Sequence, residues 1–152
     1  MTDMRASVDT GQLLLSGSAR LHRLQVELLA QLNQPLTIRQ FRILQRIDEG
    51  VTSMTGLSKL AHRSLPTISE SVEGMIRRGL LTRAASEADR RAMVLQVSAA
   101  GRQALEDARS TFDQFAADIM ATVPASKQRD FATFSQLVYD FAGLRLWGED
   151  DV

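Results

Sequence analysis

Asp89, Arg90 and Arg91 stand side by side in the stretch GLLTRAASEADRRAMVLQVSAAG, residues 79–101. Such a trio holds no nucleophile and no acid–base pair. Its chemistry is recognition of negative charge, because a guanidinium is always cationic and offers a planar fork of donors to oxygen acceptors. Residues 80–84 before the tip are strand-like. After it, Met93, Leu95 and Val97 alternate with Val94 and Gln96, as a half-exposed strand should. Paired arginines on the tip of a protruding hairpin suit insertion into a narrow, negatively charged groove.

Other chemistry is scarce. The chain has two histidines and no cysteine, which excludes a disulfide framework, a thiolate zinc site and a thiol redox centre. Glu87 and Asp89 are close in sequence, but no nucleophile, base and orienting group come together. There is no glycine-rich phosphate loop. An enzyme is therefore not expected, nor a metal or a cofactor.

The net charge of zero conceals an asymmetry. Residues 37–97 hold ten Lys/Arg against six acids, so this middle is +4 and the flanks together are −4. A basic middle between acidic ends suits a local polyanion, although scattered surface charge gives the same count. No run approaches the roughly 20 apolar residues of a membrane span, and the N-terminus lacks a signal-peptide pattern. A cytoplasmic protein without a membrane partner is expected.

The elements that must carry the hairpin are legible from periodicity. Leu14, Leu21, Leu24, Leu28 and Leu32 predict a helix over residues 12–32, ended by Asn33–Pro35. Thr37 with Gln40 is a capping-box signature. It opens a helix with Phe41, Leu44 and Ile47 on one face, stopping near Gly50. Val51–Ser53 suits a very short strand. A helix over residues 54–61 should turn Leu57, Leu60 and Ala61 inward. Ser64 then caps a helix that tolerates Pro66 in its first turn, buries Leu65, Ile68, Val72 and Met75, and ends at Gly79. After the hairpin, Ser98 caps a long helix to about Thr122, and Pro124 opens the last helix. Met54, Met75, Met93 and Met120 suit core filling. The fold class is mainly α with a small β wing (α+β). A short helix, a turn and a capped helix joined to a two-stranded wing make a winged helix-turn-helix. The terminal helices carry more apolar surface than that lobe can cover, which points to a symmetric dimer.

In this order the residues resemble the multiple-antibiotic-resistance regulator (MarR) family of bacterial transcription factors. Gly79-Leu80, Arg83, Asp89-Arg90-Arg91, Val94, Val97-Ser98 and Gly101 fill the places of that family's wing. Leu36-Thr37 with Gln40, Phe41 and Leu44 looks like its second helix, and Ser64, Thr67, Ile68 and Ser69 like the start of its recognition helix. The resemblance implies one domain over residues 1–152. Residues 36–98 would form the winged helix-turn-helix lobe, and residues 10–33 and 99–147 the dimerisation helices.

It further implies double-stranded DNA as partner, a homodimer on a pseudo-palindromic operator, and most often repression. The recognition helix would enter the major groove, presenting Ser64, Pro66, Thr67, Ser69, Glu70, Glu73, Gly74 and Arg77. Arg91 would enter the minor groove, braced by Asp89, whose carboxylate limits its rotamers and so lowers the ordering cost of binding. Arg90 would meet phosphate, as would Arg39. Glu70 departs from the arginine often found there, and Gly74 from a longer polar residue. Glu70 either accepts from a cytosine amino group or pairs with Arg63 or Arg77. Arg77 and Arg78 alternatively complement the helix dipole, the better reading for Arg78. A small aromatic or anionic effector is implied as well, with His22 and Arg23 as candidate contacts. The rival reading is a winged helix that binds protein without specific DNA binding.

Overall fold

The computed structural model describes residues 2–85 and 93–147. It divides into two compact units, Met1–Thr111 and Phe112–Val152. The first holds helices α1 (Thr2–Ala30), α2 (Ile38–Asp48), α3 (Met54–Ala61) and α4 (Leu65–Arg77), strands β1 (Leu81–Ala85) and β2 (Met93–Val97), and the first half of α5 (Ala99–Ala121). The second holds the rest of α5, a 3-10 turn at Ala125–Lys127 and α6 (Gln128–Trp147). No helix of the described residues is long and apolar enough to cross a membrane.

Local chemistry explains most of the boundaries. At the start of α2 the Gln40 amide donates to Thr37 Oγ1 at 3.2 Å, and the Thr37 amide donates to Gln40 Oε1 at 3.0 Å. This capping box satisfies two otherwise orphan donors. At the end of α4, Gly79 takes φ +72°. Its amide bonds Ile76 O, while the Leu80 amide reaches back to Met75 O at 2.9 Å. That Schellman turn needs a left-handed residue, which glycine adopts without a Cβ penalty.

The core of the first unit draws on every element between α1 and α5. Leu29, Leu44, Leu57, Ile68, Leu80 and Leu105 are among its fully buried side chains. The two strands pair antiparallel with Leu81 opposite Val97 and Arg83 opposite Leu95. Leu81, Leu95 and Val97 share the buried face. Ser98 fastens this hairpin to α5. Its Oγ donates to Gly79 O at 2.6 Å and accepts from the Gly101 amide at 2.9 Å.

Several expectations need correction. α1 starts at Thr2, not near Gln12. Its first ten residues carry no apolar stripe for periodicity to detect. Residues 51–53 are not a strand. Thr52 instead lends one carbonyl to the Leu95 amide at 3.0 Å, satisfying a donor on β2. Leu60 and Leu65, expected inside, are 44% and 47% exposed, because they flank the turn between α3 and α4. Met93 is 60% exposed: it shares the apolar face of the hairpin but lies beyond the edge of the core. Ile43, not Phe41, joins Leu44 and Ile47 in full burial on α2. β1 begins at Leu81, one residue later than expected. Pro124 opens the 3-10 turn, with α6 following at Gln128.

Candidate nucleic-acid interface

α3, its turn and α4 form the helix-turn-helix. The turn is built around His62, which takes the left-handed conformation at φ +46°. The Arg63 amide donates to Ser58 O at 3.2 Å, and Ser58 Oγ donates back to Arg63 O at 2.6 Å. Arg46 of α2 supports the same corner through Nη2, which donates to Leu60 O at 2.7 Å. Partial burial and the nearby charge of Arg42 lower the Arg46 guanidinium from its usual pKa, with Glu49 opposing. The angle between α3 and α4 is thus set by hydrogen bonds as well as by Leu57.

α4 is held by Ile68, Val72 and Met75, all fully buried. Each contributes about 1.5–3 kcal/mol. Their i, i+4, i+7 spacing fixes which side of the helix turns outward. Pro66, Glu70 and Arg77 lie exposed on that outward side, with Glu73 and Gly74 half-buried among them. Ser64 holds the N-cap position in extended backbone, but its side chain does not cap the helix. The expected cap is replaced by a bond between Ser64 Oγ and Thr67 Oγ1 at 2.8 Å. Thr67 and Ser69 are half-buried at the edges of the outward face.

The two carboxylates of this helix have different surroundings. Glu73 forms an ion pair with Arg83 of β1. Among the described residues Glu70 has no ion pair with Arg63, Arg77 or any other cation. The pairing of Glu73 with a strand ten residues away was invisible in sequence. So was the exposed guanidinium of Arg63 at the entrance to α4, which carries charge beside the helix N-terminus.

Arg78 has a structural task. Its Nη1 donates to Gln40 Oε1 at 3.2 Å and its Nη2 to Pro35 O at 2.5 Å. The C-terminus of α4 is thereby locked to the N-terminus of α2. Arg77 and Arg39, the chain neighbours of Arg78 and Gln40, are both exposed at this junction. Asp89, Arg90 and Arg91 fall outside the described residues, between Ala85 and Met93, the last residue pair of the hairpin register. His22 and Arg23 are exposed on α1, and Arg23 Nε pairs with Glu27 Oε1 at 3.0 Å. Among the described residues no group of three His, Asp or Glu side chains is arranged to hold a metal ion.

A turn-linked helix pair, a buried seam beneath the second helix and a two-stranded hairpin after it define a winged helix-turn-helix. Residues 34–92, which include α2, α3, α4 and β1, match the model of the MarR family. The match lies in the winged-helix segment of the chain. Among solved structures, Streptococcus pneumoniae FabT in complex with DNA superposes with a TM-score of 0.77 at 17% identity, covering 90% of this chain and 96% of that one. MepR, a transcription regulator of the Staphylococcus aureus multidrug efflux pump MepA, gives 0.73 at 16% identity, covering 86% and 97%. S. aureus MepR bound to ethidium bromide gives 0.63 at 17% identity, covering 86% and 95%. At these identities the likeness is one of fold. No curated protein sequence matches the chain.

Proposed function

We propose that this protein is a sequence-specific DNA-binding transcriptional regulator of the MarR type. It binds a pseudo-palindromic operator as a homodimer in the cytoplasm, and a small aromatic or anionic effector releases it from repression. The observation that carries the reading is the geometry of α4: a rigid helix whose buried seam leaves Ser64, Pro66, Thr67, Ser69, Glu70 and Arg77 on or beside a free outward face. A helix so displayed fits the major groove. Arg39, Arg77 and Arg63 border it and serve phosphates, and Asp89, Arg90 and Arg91 on the wing serve the minor groove and its backbone.

The dimer is supported by the exposed apolar side chains of α6, Phe134, Leu137, Phe141 and Leu144 among them. Effector response is supported by the fold relationship to MepR, which binds ethidium. His22 and Arg23 are the proposed contacts on α1.

Titration of the full chain against random-sequence duplex at two salt concentrations tests the reading. A DNA binder loses affinity steeply as salt rises, because each neutralised phosphate releases counterions. Weak, salt-independent binding instead favours a winged helix that binds protein. That second reading draws on one observation: the row Pro66, Glu70, Gly74 on α4 carries a carboxylate and no cation.

A further inference from the structure

We infer that Glu70 selects one base in each half-site and that it takes the amino edge of a cytosine in the major groove. The inference rests on the DNA-binding reading above. Two carboxylates lie on the outward side of α4, and only one of them is available. Glu73 is engaged by Arg83 of β1. Glu70 is exposed and, among the described residues, has neither an ion pair nor a side-chain hydrogen bond. The cation nearest along the same face, Arg77, extends its Nη2 to within 3.7 Å of where a Gly74 Cβ would stand, and forms no pair with Glu70.

Pro66, Glu70 and Gly74 sit at i, i+4 and i+8, so they form one row along the helix. Proline's ring offers neither donor nor acceptor, and Gly74 has no side chain. Among these three Glu70 is therefore the one side chain that can hydrogen-bond, with Arg77 further along the same face.

An ionised carboxylate only accepts hydrogen bonds. On the major-groove edges, guanine N7 and O6 and thymine O4 are also acceptors, and they repel it. The donors are cytosine N4 and adenine N6. Adenine carries its N7 acceptor next to that amino group, whereas cytosine carries an apolar C5–H. Cytosine N4 is thus flanked by one acceptor, O6 of the paired guanine, whereas adenine N6 lies between its own N7 and thymine O4, so cytosine is the edge a carboxylate meets with less repulsion. Bringing a negative group into a phosphate-lined groove also costs desolvation and repulsion on every sequence. The amino bond offsets this only at the right base, so Glu70 works mainly by rejecting wrong sites.

The test selects bound sequences from a random duplex pool with the full-length chain and with E70Q and E70A, at one salt concentration, after checking that all three melt alike. The wild-type pool should fix cytosine at one position per half-site, by about tenfold or more over other bases. E70Q should move that position to adenine, since glutamine pairs with adenine N6 and N7. E70A should become indifferent there while keeping the flanking positions. Identical preferences from all three proteins overturn the role of Glu70 and leave the DNA-binding reading standing. Failure of all three to bind any duplex overturns the DNA-binding reading, and this assignment with it.

Discussion

Gly101, in the first turn of α5, lies directly against the main-chain carbonyl of Leu80. A Cβ on Gly101 would run into that oxygen, and would also stand 3.0 Å from the Leu80 carbonyl carbon and 2.9 Å from Val97 Cγ1. Leu80 belongs to the turn that ends α4, and its oxygen accepts from the Ser98 amide at 3.1 Å. Two main-chain segments and the cap of α5 therefore meet where only a hydrogen fits. Gly101→Ala should destabilise the protein by about 1–3 kcal/mol, despite the roughly 1 kcal/mol that alanine contributes to a helix interior. A lower urea midpoint with an unchanged slope is the expected result.

Gly74 makes the opposite case. It lies in the middle of α4, and the closest atom to an added Cβ is Arg77 Nη2 at 3.7 Å, an ordinary contact. Nothing inside the folded chain requires glycine here. Gly74→Ala should raise stability by about 0.5–1 kcal/mol, a gain of roughly 1–4 °C in Tm for a chain of this size. If DNA approaches α4 at this point, the same variant binds duplex more weakly while melting higher. Calorimetry and a binding titration on one preparation separate the two effects.

These glycines show how far sequence carries. Gly79 was readable as a helix stop because the periodic pattern breaks there. Gly101 was readable only as part of a resemblance, since its reason is a carbonyl 21 residues away. The capping box of Thr37 and Gln40 is local and came through intact. Ser64 occupies the cap position foreseen, but its hydroxyl turns to Thr67, a choice that depends on three-dimensional surroundings. Leu60 and Leu65 fit an inward helical pattern, yet they border a tight turn that exposes both. On the candidate interface, residue types were legible and pairings were not: the engagement of Glu73 by Arg83 decides which carboxylate is free.

Adjacent arginines at the end of α4 should respond differently to loss. Arg78 ties Pro35 and Gln40 to the helix, so Arg78→Ala should cost about 1 kcal/mol of stability and loosen the entry to α2. Arg77 makes no side-chain hydrogen bond among the described residues. Arg77→Ala should leave the melting temperature nearly unchanged and reduce the salt dependence of duplex binding by about one unit of log–log slope. Equal melting of the two variants would contradict the division of labour.

The apolar face of α6 is the most direct test of assembly. Leu137 and Phe141 are one helical turn apart, 63% and 62% exposed. Two such side chains left in water forgo about 1.5–3 kcal/mol each. Leu137→Asp should convert a dimer to monomers in sedimentation at micromolar concentration, with helix content retained. If a second copy of the chain sets the spacing between recognition helices, the monomer should lose preference for a two-half-site duplex over a single half-site.

The wing arginines make the last prediction. If the outward face of α4 enters the groove, it brings the negative charge of Glu70 with it, so attraction to phosphate must come from Arg77, from the helix borders and from the hairpin. Arg91→Ala should weaken duplex binding and flatten the salt slope by about one unit. Replacement by lysine should restore the slope, since the charge returns. It should not restore preference for a narrow, A·T-rich minor groove, because the planar fork and weaker hydration of guanidinium favour entry there. If Asp89 braces Arg91, as the family resemblance implies, Asp89→Asn should lower affinity without flattening the slope. If Arg91→Ala binds every duplex as tightly as wild type at each salt concentration, the wing has no part in DNA recognition.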